Sequence, residues 1–248
     1  MNDILLSFIL GLVQGLTEFL PISSSAHLLF PTLIFGSNDL GLYFDISVHA
    51  GTLIAVVYYF RNEIFLMSKS LLVTNSFNED KNLAIQLIIA TIPIVILGFI
   101  FRDLISQRIF SINDIAISNL IFASILLFAF LNNKGKKTLI NITILGAFFI
   151  GLFQCFALIP GASRSGAAIT AGLLIGLSLK DASKFAFLLA IPTILGALTL
   201  LIFDLNNGNV SFDLLNISIG FFTSMIFAFF TIKLFLKLVE KIGMIPFV

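Results

Sequence analysis

Long apolar stretches separated by short polar segments run through the whole chain. The unbroken ones predict five membrane-crossing helices, over 41–60, 83–101, 115–131, 183–203 and 214–238. Each has close to the ~20 residues that a helix needs to cross the hydrocarbon core of a bilayer. Polar segments such as RNE, NSFNEDK, NNKGKK and LNNGN predict loops. Lipid leaves an open chain no other way to satisfy its backbone groups, so every apolar stretch is predicted to be helical.

Two further apolar stretches are interrupted. The first covers 4–36 and breaks at Pro21, and the second covers 139–178 and breaks in the segment PGASRSG. Each block contains one charged side chain, Glu18 in the first and Arg164 in the second. A charge at membrane depth is costly and normally faces a bundle interior or a watery cavity. Both residues are therefore candidates for function.

The two interrupted blocks resemble each other in sequence. With an offset of 140 residues, GLVQGLTEFLPISSS aligns with GLFQCFALIPGASRS. The alignment matches Gln14 with Gln154 and Ser23 with Ser163. A bias toward Leu, Ile and Phe does not produce shared glutamine and serine positions, so an internal repeat is predicted.

The number of spans between the blocks predicts how the repeats are arranged. Three full spans separate the two blocks. Because an odd number of crossings ends on the other side of the membrane, the second block enters from the opposite membrane face. We therefore predict inverted-topology repeats, 1–138 and 139–248, whose two re-entrant blocks bring Glu18 and Arg164 together near the midplane. On the same count the second repeat lacks a counterpart of 115–131, so a final span is predicted to be missing.

Composition agrees with this interpretation and narrows the function classes. Hydrophobic residues make up 58% of the 248 positions and charged residues 11%, and the mean hydropathy is +1.10. The predicted fold class is an all-α polytopic membrane helical bundle, a single integral membrane domain over 1–248. A net charge of +1 with no basic stripe argues against nucleic acid as a partner. The one cysteine, Cys155, excludes an intramolecular disulfide.

The first block places polar groups on both sides of its break. Gln14 and Glu18 lie one turn apart on one helix face, ahead of the break at Pro21. Glu18 could accept a proton or hold a hard divalent cation such as Mg²⁺ or Ca²⁺. Gln14 cannot act as a base, so at most it orients water, substrate or Glu18.

Three serines, Ser23 to Ser25, and a histidine follow that break. Serine is a residue type that caps a new helix, and Ser24 or Ser23 could also attack phosphorus or position an attacking water. His27, one turn after Ser24, could relay a proton. The alternative is structural: serines in membrane helices often bond back to a carbonyl one turn earlier or join helices.

The second block predicts an anion site. Ser163, Arg164 and Ser165 open a helix whose free N–H groups and partial positive charge attract phosphate. The arginine fork can bridge two phosphate oxygens and stays charged at any working pH. Another histidine, His49 in ISVHAGT, has no such neighbours in sequence and is assigned no role.

Together these motifs resemble a known family. QGLTEFLPISSSAH is similar to the (Glu/Gln)-x-x-x-Glu and Pro-x-Ser-Ser-x-x-His signature of the undecaprenyl pyrophosphate phosphatases of the bacitracin-resistance type. PGASRSGAAIT resembles the Pro-Gly-x-Ser-Arg-Ser-x-x-x-Thr motif of that family. The resemblance covers essentially the whole chain. One departure is Gln14, which stands where many relatives have glutamate and leaves Glu18 as the sole carboxylate.

The resemblance implies a multi-pass hydrolase of the bacterial inner membrane. Such an enzyme removes the terminal phosphate of the polyprenyl pyrophosphate carrier, recycles the monophosphate for peptidoglycan synthesis and confers bacitracin resistance. It implies a divalent cation, Mg²⁺ or Ca²⁺, with Glu18 as metal ligand. The implied catalytic residues are Glu18, Ser24, His27 and Arg164, supported by Gln14. The predicted phosphate-binding residues are Ser23, Ser163, Arg164, Ser165 and Thr170.

Two other functions remain open from the sequence. Inverted repeats with broken helices are also transporter architecture, so a polyprenyl-phosphate transporter or flippase is the main alternative. A structural membrane protein without a site is the third, and it predicts that Glu18 and Arg164 lie far apart. The expected partners are the polyprenyl pyrophosphate lipid and the membrane, and a homodimer is compatible with the sequence.

Overall fold

The computed structural model describes residues 3–72, 78–102, 111–205 and 213–247. Within these ranges the chain is helical, with no strand beyond an isolated bridge between Lys137 and Leu177. The all-α prediction is confirmed. The α-helices are α1 Asp3–Thr17, α2 Ser24–Phe35, α3 Gly41–Tyr59, α4 Arg61–Leu72, α5 Glu79–Ile100, α6 Ile112–Asn132, α7 Ile144–Gln154, α8 Arg164–Leu174, α9 Leu179–Leu205 and α10 Leu214–Ile242. Short 3-10 helices cover Leu139–Asn141, Cys155–Leu158 and Ile245–Phe247.

Several of these helices have the length and composition of membrane spans. Among the described residues α5, α6, α9 and α10 are long and apolar enough to cross a membrane. The pair α3 and α4, bent by 75°, is a fifth candidate. The helices of the interrupted blocks are shorter, as expected if neither block crosses in one piece. The chain is a multi-pass membrane protein, as the hydropathy pattern predicts.

The loop predicted at RNE is wrong, because these residues open α4. Nη1 of Arg61 donates to the carbonyl of Tyr58 at 2.9 Å, and the guanidinium lies 4.6 Å from the centre of the Tyr58 ring. Glu63 forms an ion pair of 3.0 Å with Lys184 on α9. α4 mixes charged, buried and exposed apolar positions, which is typical of a helix that lies in the membrane interface.

The other predicted spans are correct to within a few residues. α5 and α9 each begin four residues before the predicted 83 and 183, and α10 extends four residues past 238. The early start of α5 has a local cause: Asn78 caps the helix and acidic residues fill its first turn. The loop at NNKGKK is confirmed. The loop predicted at NSFNEDK is wrong at 79–81, which form the first turn of α5, and its residues 75–77 lie outside the described residues. The predicted loop LNNGN lies outside them except for Leu205, the last residue of α9.

Both interrupted blocks have the same local structure. In the first, the hydroxyl of Ser23 accepts from the N–H of Ala26 and caps α2. In the second, the hydroxyl of Ser163 accepts from the N–H of Gly166 and caps α8. Each capping hydroxyl also contacts the serine two residues later, at 3.2 and 3.1 Å. The predicted serine caps are confirmed at both breaks.

Helix packing is reciprocal between the predicted repeats. α1 packs against α10, where Gly11 faces Gly220, and α7 packs against α5, where Gly151 faces Ala90. The offset of 140 residues that matches α1 with α7 also matches α5 with α10. Each block thus packs on a helix of the other repeat. This exchange is compatible with an internal repeat, and the repeat boundary at 138 and the inverted topology stay predictions.

The helix that follows Arg164 lies in the centre of the bundle. Every residue of α8 from Ser165 to Leu173 is buried, and α8 packs against α6, α7 and α9. Its sequence SGAAITAG consists mostly of small residues, which allow helix backbones to approach closely. The N-terminus of α8, and Arg164 with it, is therefore held at a fixed place inside the protein.

We expect Gly15→Ala to destabilise the bundle by about 1–3 kcal/mol. An added Cβ would lie 2.7 Å from the carbonyl oxygen of Ser224 and from Cβ of Phe227, so α1 would have to move away from α10. Gly98→Ala in α5 is the matched control, because its added methyl group would meet its nearest neighbour at 3.9 Å. Thermal unfolding in one detergent compares the two variants. Equal Tm values would contradict the close packing of α1 on α10.

Candidate active site

Glu18 lies in the break between α1 and α2, where its side chain is 6% exposed. Oε1 accepts from Nη2 of Arg164 at 2.9 Å. Oε2 accepts from Nε2 of Gln14 and from Oγ of Ser24, each at 2.8 Å. Nε2 of His49 is 3.9 Å from the same oxygen. The charged residues of the two blocks, 146 positions apart in sequence, thus form one buried ion pair.

Arg164 is the first residue of α8, and its side chain is 13% exposed. Nη2 binds Glu18, whereas Nη1 is buried and has no hydrogen-bond partner in the described part of the chain. A buried charged donor left unpaired is costly, so Nη1 is suited to an incoming anion. The N–H groups and the positive end of α8 favour an anion at the same place.

Gln14 is fully buried one turn before Glu18. A carboxylate only accepts hydrogen bonds, so the Gln14 amide must turn its NH₂ group toward Glu18 and its Oε1 away from it. Oε1 has no hydrogen-bond partner in the described ranges. Gln14 therefore orients the carboxylate and leaves one amide oxygen free for water, substrate or a cation.

The structure separates the two serines that were candidates for attack. Ser24 is half-buried and donates directly to Glu18. Ser23 is buried, its hydroxyl caps α2, and its other contact is the hydroxyl of Ser25. Ser24 is thus the serine placed beside the carboxylate of Glu18, whereas Ser23 caps the helix that begins at Ser24.

The hydroxyls of the second block are engaged with backbone carbonyls. Ser165 is fully buried and donates to the carbonyl of Leu20 at 2.6 Å, and Ser163 reaches the same carbonyl at 3.4 Å. Thr170 donates to the carbonyl of Gly166 at 2.7 Å and is 2% exposed. These contacts join the two blocks and shape the N-terminus of α8. A direct contact from these hydroxyls to phosphate stays a prediction.

The two histidines lie differently from what the sequence indicated. His27 has its Nδ1 2.6 Å from the carbonyl of Ser23, and it forms no hydrogen bond with Glu18 or Ser24. His49, to which the sequence assigned no role, approaches Glu18 from α3. The sequence signal was a histidine inside a predicted span, and that signal does not say which way the ring faces.

The donors around Glu18 suit a hard divalent cation. Among the described residues no three His, Cys, Asp or Glu side chains come together as a metal cluster. The oxygens in this cluster are the carboxylate of Glu18, which already accepts three hydrogen bonds, the hydroxyl of Ser24, and Oε1 of Gln14, which has no partner in the described ranges. Mg²⁺ typically takes one or two carboxylates, keeps several waters and draws further ligands from substrate phosphates. The residues therefore fit a cation whose coordination the substrate completes.

Comparison with known proteins covers nearly the whole chain. The chain is 44% identical to the undecaprenyl-diphosphatase of Alcanivorax borkumensis over 245 residues. The aligned region covers 98% of this chain and 92% of that protein. The chain is 42% identical over 251 residues to the undecaprenyl-diphosphatase of Saccharophagus degradans, with 99% and 93% covered. The corresponding protein of Alteromonas mediterranea is 43% identical over 244 residues, with 97% and 91% covered. The model of the bacitracin resistance protein BacA family matches residues 7–248, which include both breaks with Glu18 and Arg164, and the chain therefore belongs to this family.

Proposed function

We propose that this membrane protein hydrolyses undecaprenyl diphosphate to undecaprenyl phosphate and inorganic phosphate. Its relatives carry the name of that activity at 42 to 44% identity over nearly their full length. The observation that supports it most directly is the 2.8 Å hydrogen bond from Ser24 to Glu18, beside Arg164. Phosphoryl transfer needs a nucleophile, a base and a positive charge on the phosphate oxygens, and these three residues supply them.

Arg164 is the main ligand of the diphosphate in this proposal. Its Nη2 stays on Glu18, and its buried Nη1 takes an oxygen of the phosphate. The N-termini of α2 and α8 add backbone N–H groups and partial positive charge. The hydroxyls of Ser23, Ser163, Ser165 and Thr170 hold these two helix ends in place.

Ser24 attacks the terminal phosphorus. As the bond from Oγ to phosphorus forms, the bond from phosphorus to the bridging oxygen breaks, and the hydroxyl proton passes to Glu18. Glu18 then gives this proton to the departing monophosphate. Gln14 keeps the carboxylate oriented toward Ser24 during both transfers. Water hydrolyses the phosphorylated serine and releases inorganic phosphate.

Two further groups complete the proposal. Glu18, with Gln14 beside it, would hold a Mg²⁺ or Ca²⁺ ion, and such an ion, when bound, would supply additional neutralisation of the phosphate oxygens. His27 uses Nδ1 on its own helix, so Nε2 is the atom through which it would relay a proton to or from the leaving phosphate.

The proposed activity accounts for the description of the family. Undecaprenyl phosphate is the lipid carrier of cell-wall precursors, so its release supports peptidoglycan synthesis and cell shape. Bacitracin complexes the pyrophosphate form, and removal of that form gives resistance, in agreement with the family name. The proposed location is the inner membrane of a bacterial cell.

A polyprenyl-phosphate transporter or flippase is the second candidate. It is favoured by the two interrupted helices, whose ends meet at one ion pair inside the bundle. A carrier needs an anion site but no base, so it has no use for a carboxylate hydrogen-bonded to a serine hydroxyl. The contact between Glu18 and Ser24 therefore favours hydrolysis.

We expect Ser24→Ala to lower kcat for phosphate release from undecaprenyl diphosphate by roughly 10³-fold or more, with a small effect on KM. The methyl side chain cannot attack, whereas Arg164 still binds the phosphate. Ser25→Ala is the matched control, because it removes a neighbouring hydroxyl that is exposed and does not touch Glu18. Equal rates in the two variants would remove Ser24 from the mechanism. Absence of phosphate release by the parent protein would overturn the proposed function.

A further inference from the structure

His49 is the second histidine near the site, and its ring has a defined orientation. Nδ1 lies 2.7 Å from the backbone carbonyl oxygen of Asp45, one turn earlier on α3. A carbonyl oxygen only accepts, so Nδ1 carries the hydrogen and the neutral ring presents a lone pair at Nε2. Nε2 is the atom that faces Glu18, and the His49 side chain is 28% exposed.

Two hydrogen-bond acceptors therefore face each other at this place. The 3.9 Å between Nε2 of His49 and Oε2 of Glu18 is too long for a direct hydrogen bond. Polar groups at such a separation are commonly bridged by a water molecule. A bridging water would donate one hydrogen to each acceptor and would keep its own lone pairs free for attack.

The proposed reaction changes the partners of Oε2 at the moment when such a water is needed. In the structure, Oε2 accepts from both Gln14 and Ser24. A carboxylate oxygen has about two lone-pair sites, so both are in use. Once Ser24 carries a phosphoryl group, its Oγ has no hydrogen to donate. One site on Oε2 then becomes free, next to the phosphorus that must be attacked.

We propose that His49 orients, together with Glu18, the water that hydrolyses phosphorylated Ser24. The inference rests on the proposed function and adds a residue to its second step. In that step the water oxygen bonds to phosphorus and the bond from phosphorus to Oγ breaks. One proton of the water passes through Glu18 to Oγ, which restores Ser24, and inorganic phosphate leaves. His49 stays neutral and contributes a hydrogen-bond acceptor.

The test compares His49→Leu with His49→Gln on undecaprenyl diphosphate labelled at its terminal phosphate. Leucine has no acceptor, whereas the glutamine amide oxygen can reach the place of Nε2. We expect His49→Leu to lower kcat by about 10- to 100-fold with KM little changed, because the water is no longer aligned. The label should accumulate on the protein and be lost when Ser24→Ala is added. His49→Gln should recover most of kcat.

Ser47→Ala is the matched control, because its hydroxyl only donates to the carbonyl of Phe44 on the same helix. It should keep the parent rate. If His49→Leu does not fold, as judged by its Tm in detergent, His49→Asn replaces it, since that side chain reaches the Asp45 carbonyl but not Glu18.

Three results would overturn the inference: an unchanged kcat in His49→Leu, equal losses in the leucine and glutamine variants, or a loss of kcat without added label on the protein. A structural role of His49 gives the last of these, because it would slow both steps together. Failure of the proposed function has a different signature, since the parent protein itself would then release no phosphate.

Discussion

Arg164→Ala is expected to lower kcat/KM for undecaprenyl diphosphate by about 10³-fold or more. Nη1 of Arg164 is a buried charged donor without a hydrogen-bond partner in the described structure, at the positive end of α8. Loss of the guanidinium group removes the positive charge that we propose neutralises the phosphate during transfer. Steady-state phosphate release by purified protein, over a range of substrate concentrations, measures the loss.

Companion variants separate phosphate binding from support of Glu18. Arg164→Lys keeps the charge but not the two-pronged contact, so we expect intermediate activity. Arg164→Ala also leaves a carboxylate buried without its cation, which costs about 3–5 kcal/mol. Adding Glu18→Gln removes that charge and should restore Tm but not activity. Phosphate release at the parent rate by Arg164→Ala would contradict the role of this residue.

Glu18→Gln is expected to lower kcat by about 10²- to 10⁴-fold with a smaller change in KM. The amide has nearly the shape of the carboxylate and can still accept from Ser24, but it cannot take the proton. Arg164 remains to bind the diphosphate. The matched control is Glu240→Gln, whose carboxylate forms an exposed pair with Lys180 and should keep the parent rate. Equal activity of the two variants would show that Glu18 is not the base.

The same variant distinguishes the hydrolase from the transporter or flippase. In vesicles, a carrier should move a fluorescent polyprenyl phosphate equally well with glutamate or glutamine at position 18, because it needs only the anion site. A hydrolase should lose phosphate release with this substitution. Transport by the parent protein without any phosphate release would favour the carrier over the proposed function.

Most of the helices could be predicted because their causes are local. A span depends on a run of apolar residues, and a break depends on Pro21 or on the segment PGASRSG. The caps at Ser23 and Ser163 involve a hydroxyl and an N–H three residues later, so the sequence around each break is sufficient to predict them. The pairing of Gln14 with Glu18 is equally local, since helix geometry alone places them one turn apart.

The wrong loop at RNE shows where local patterns are insufficient. Three polar residues after an apolar span are as compatible with a loop as with the start of an interfacial helix. Contacts with residues outside the segment favour the helix over the loop: Arg61 lies over the ring of Tyr58, and Glu63 pairs with Lys184 on α9. The pairing with Lys184 cannot be deduced from hydropathy, because it joins α4 to α9.

The site shows the same division between local and tertiary causes. Charge, repeat and crossing number predicted that Glu18 and Arg164 meet. They did not predict that Ser24 rather than Ser23 reaches the carboxylate, nor that Thr170 turns its hydroxyl to its own helix. The direction of a short side chain depends on how its helix is rotated, and neighbouring helices set that rotation.

Local sequence was enough to predict the membrane helices, the two breaks with their serine caps, and the residue types available for phosphate chemistry. These depend on apolar runs and on neighbours within one helical turn. Helix packing sets which atoms come into contact, such as those of the ion pair between Glu18 and Arg164 and those of His49, which approaches Glu18 from α3. Such contacts join residues far apart in sequence, so they exist only after α1, α3 and α8 have packed together, and packing depends on the whole bundle.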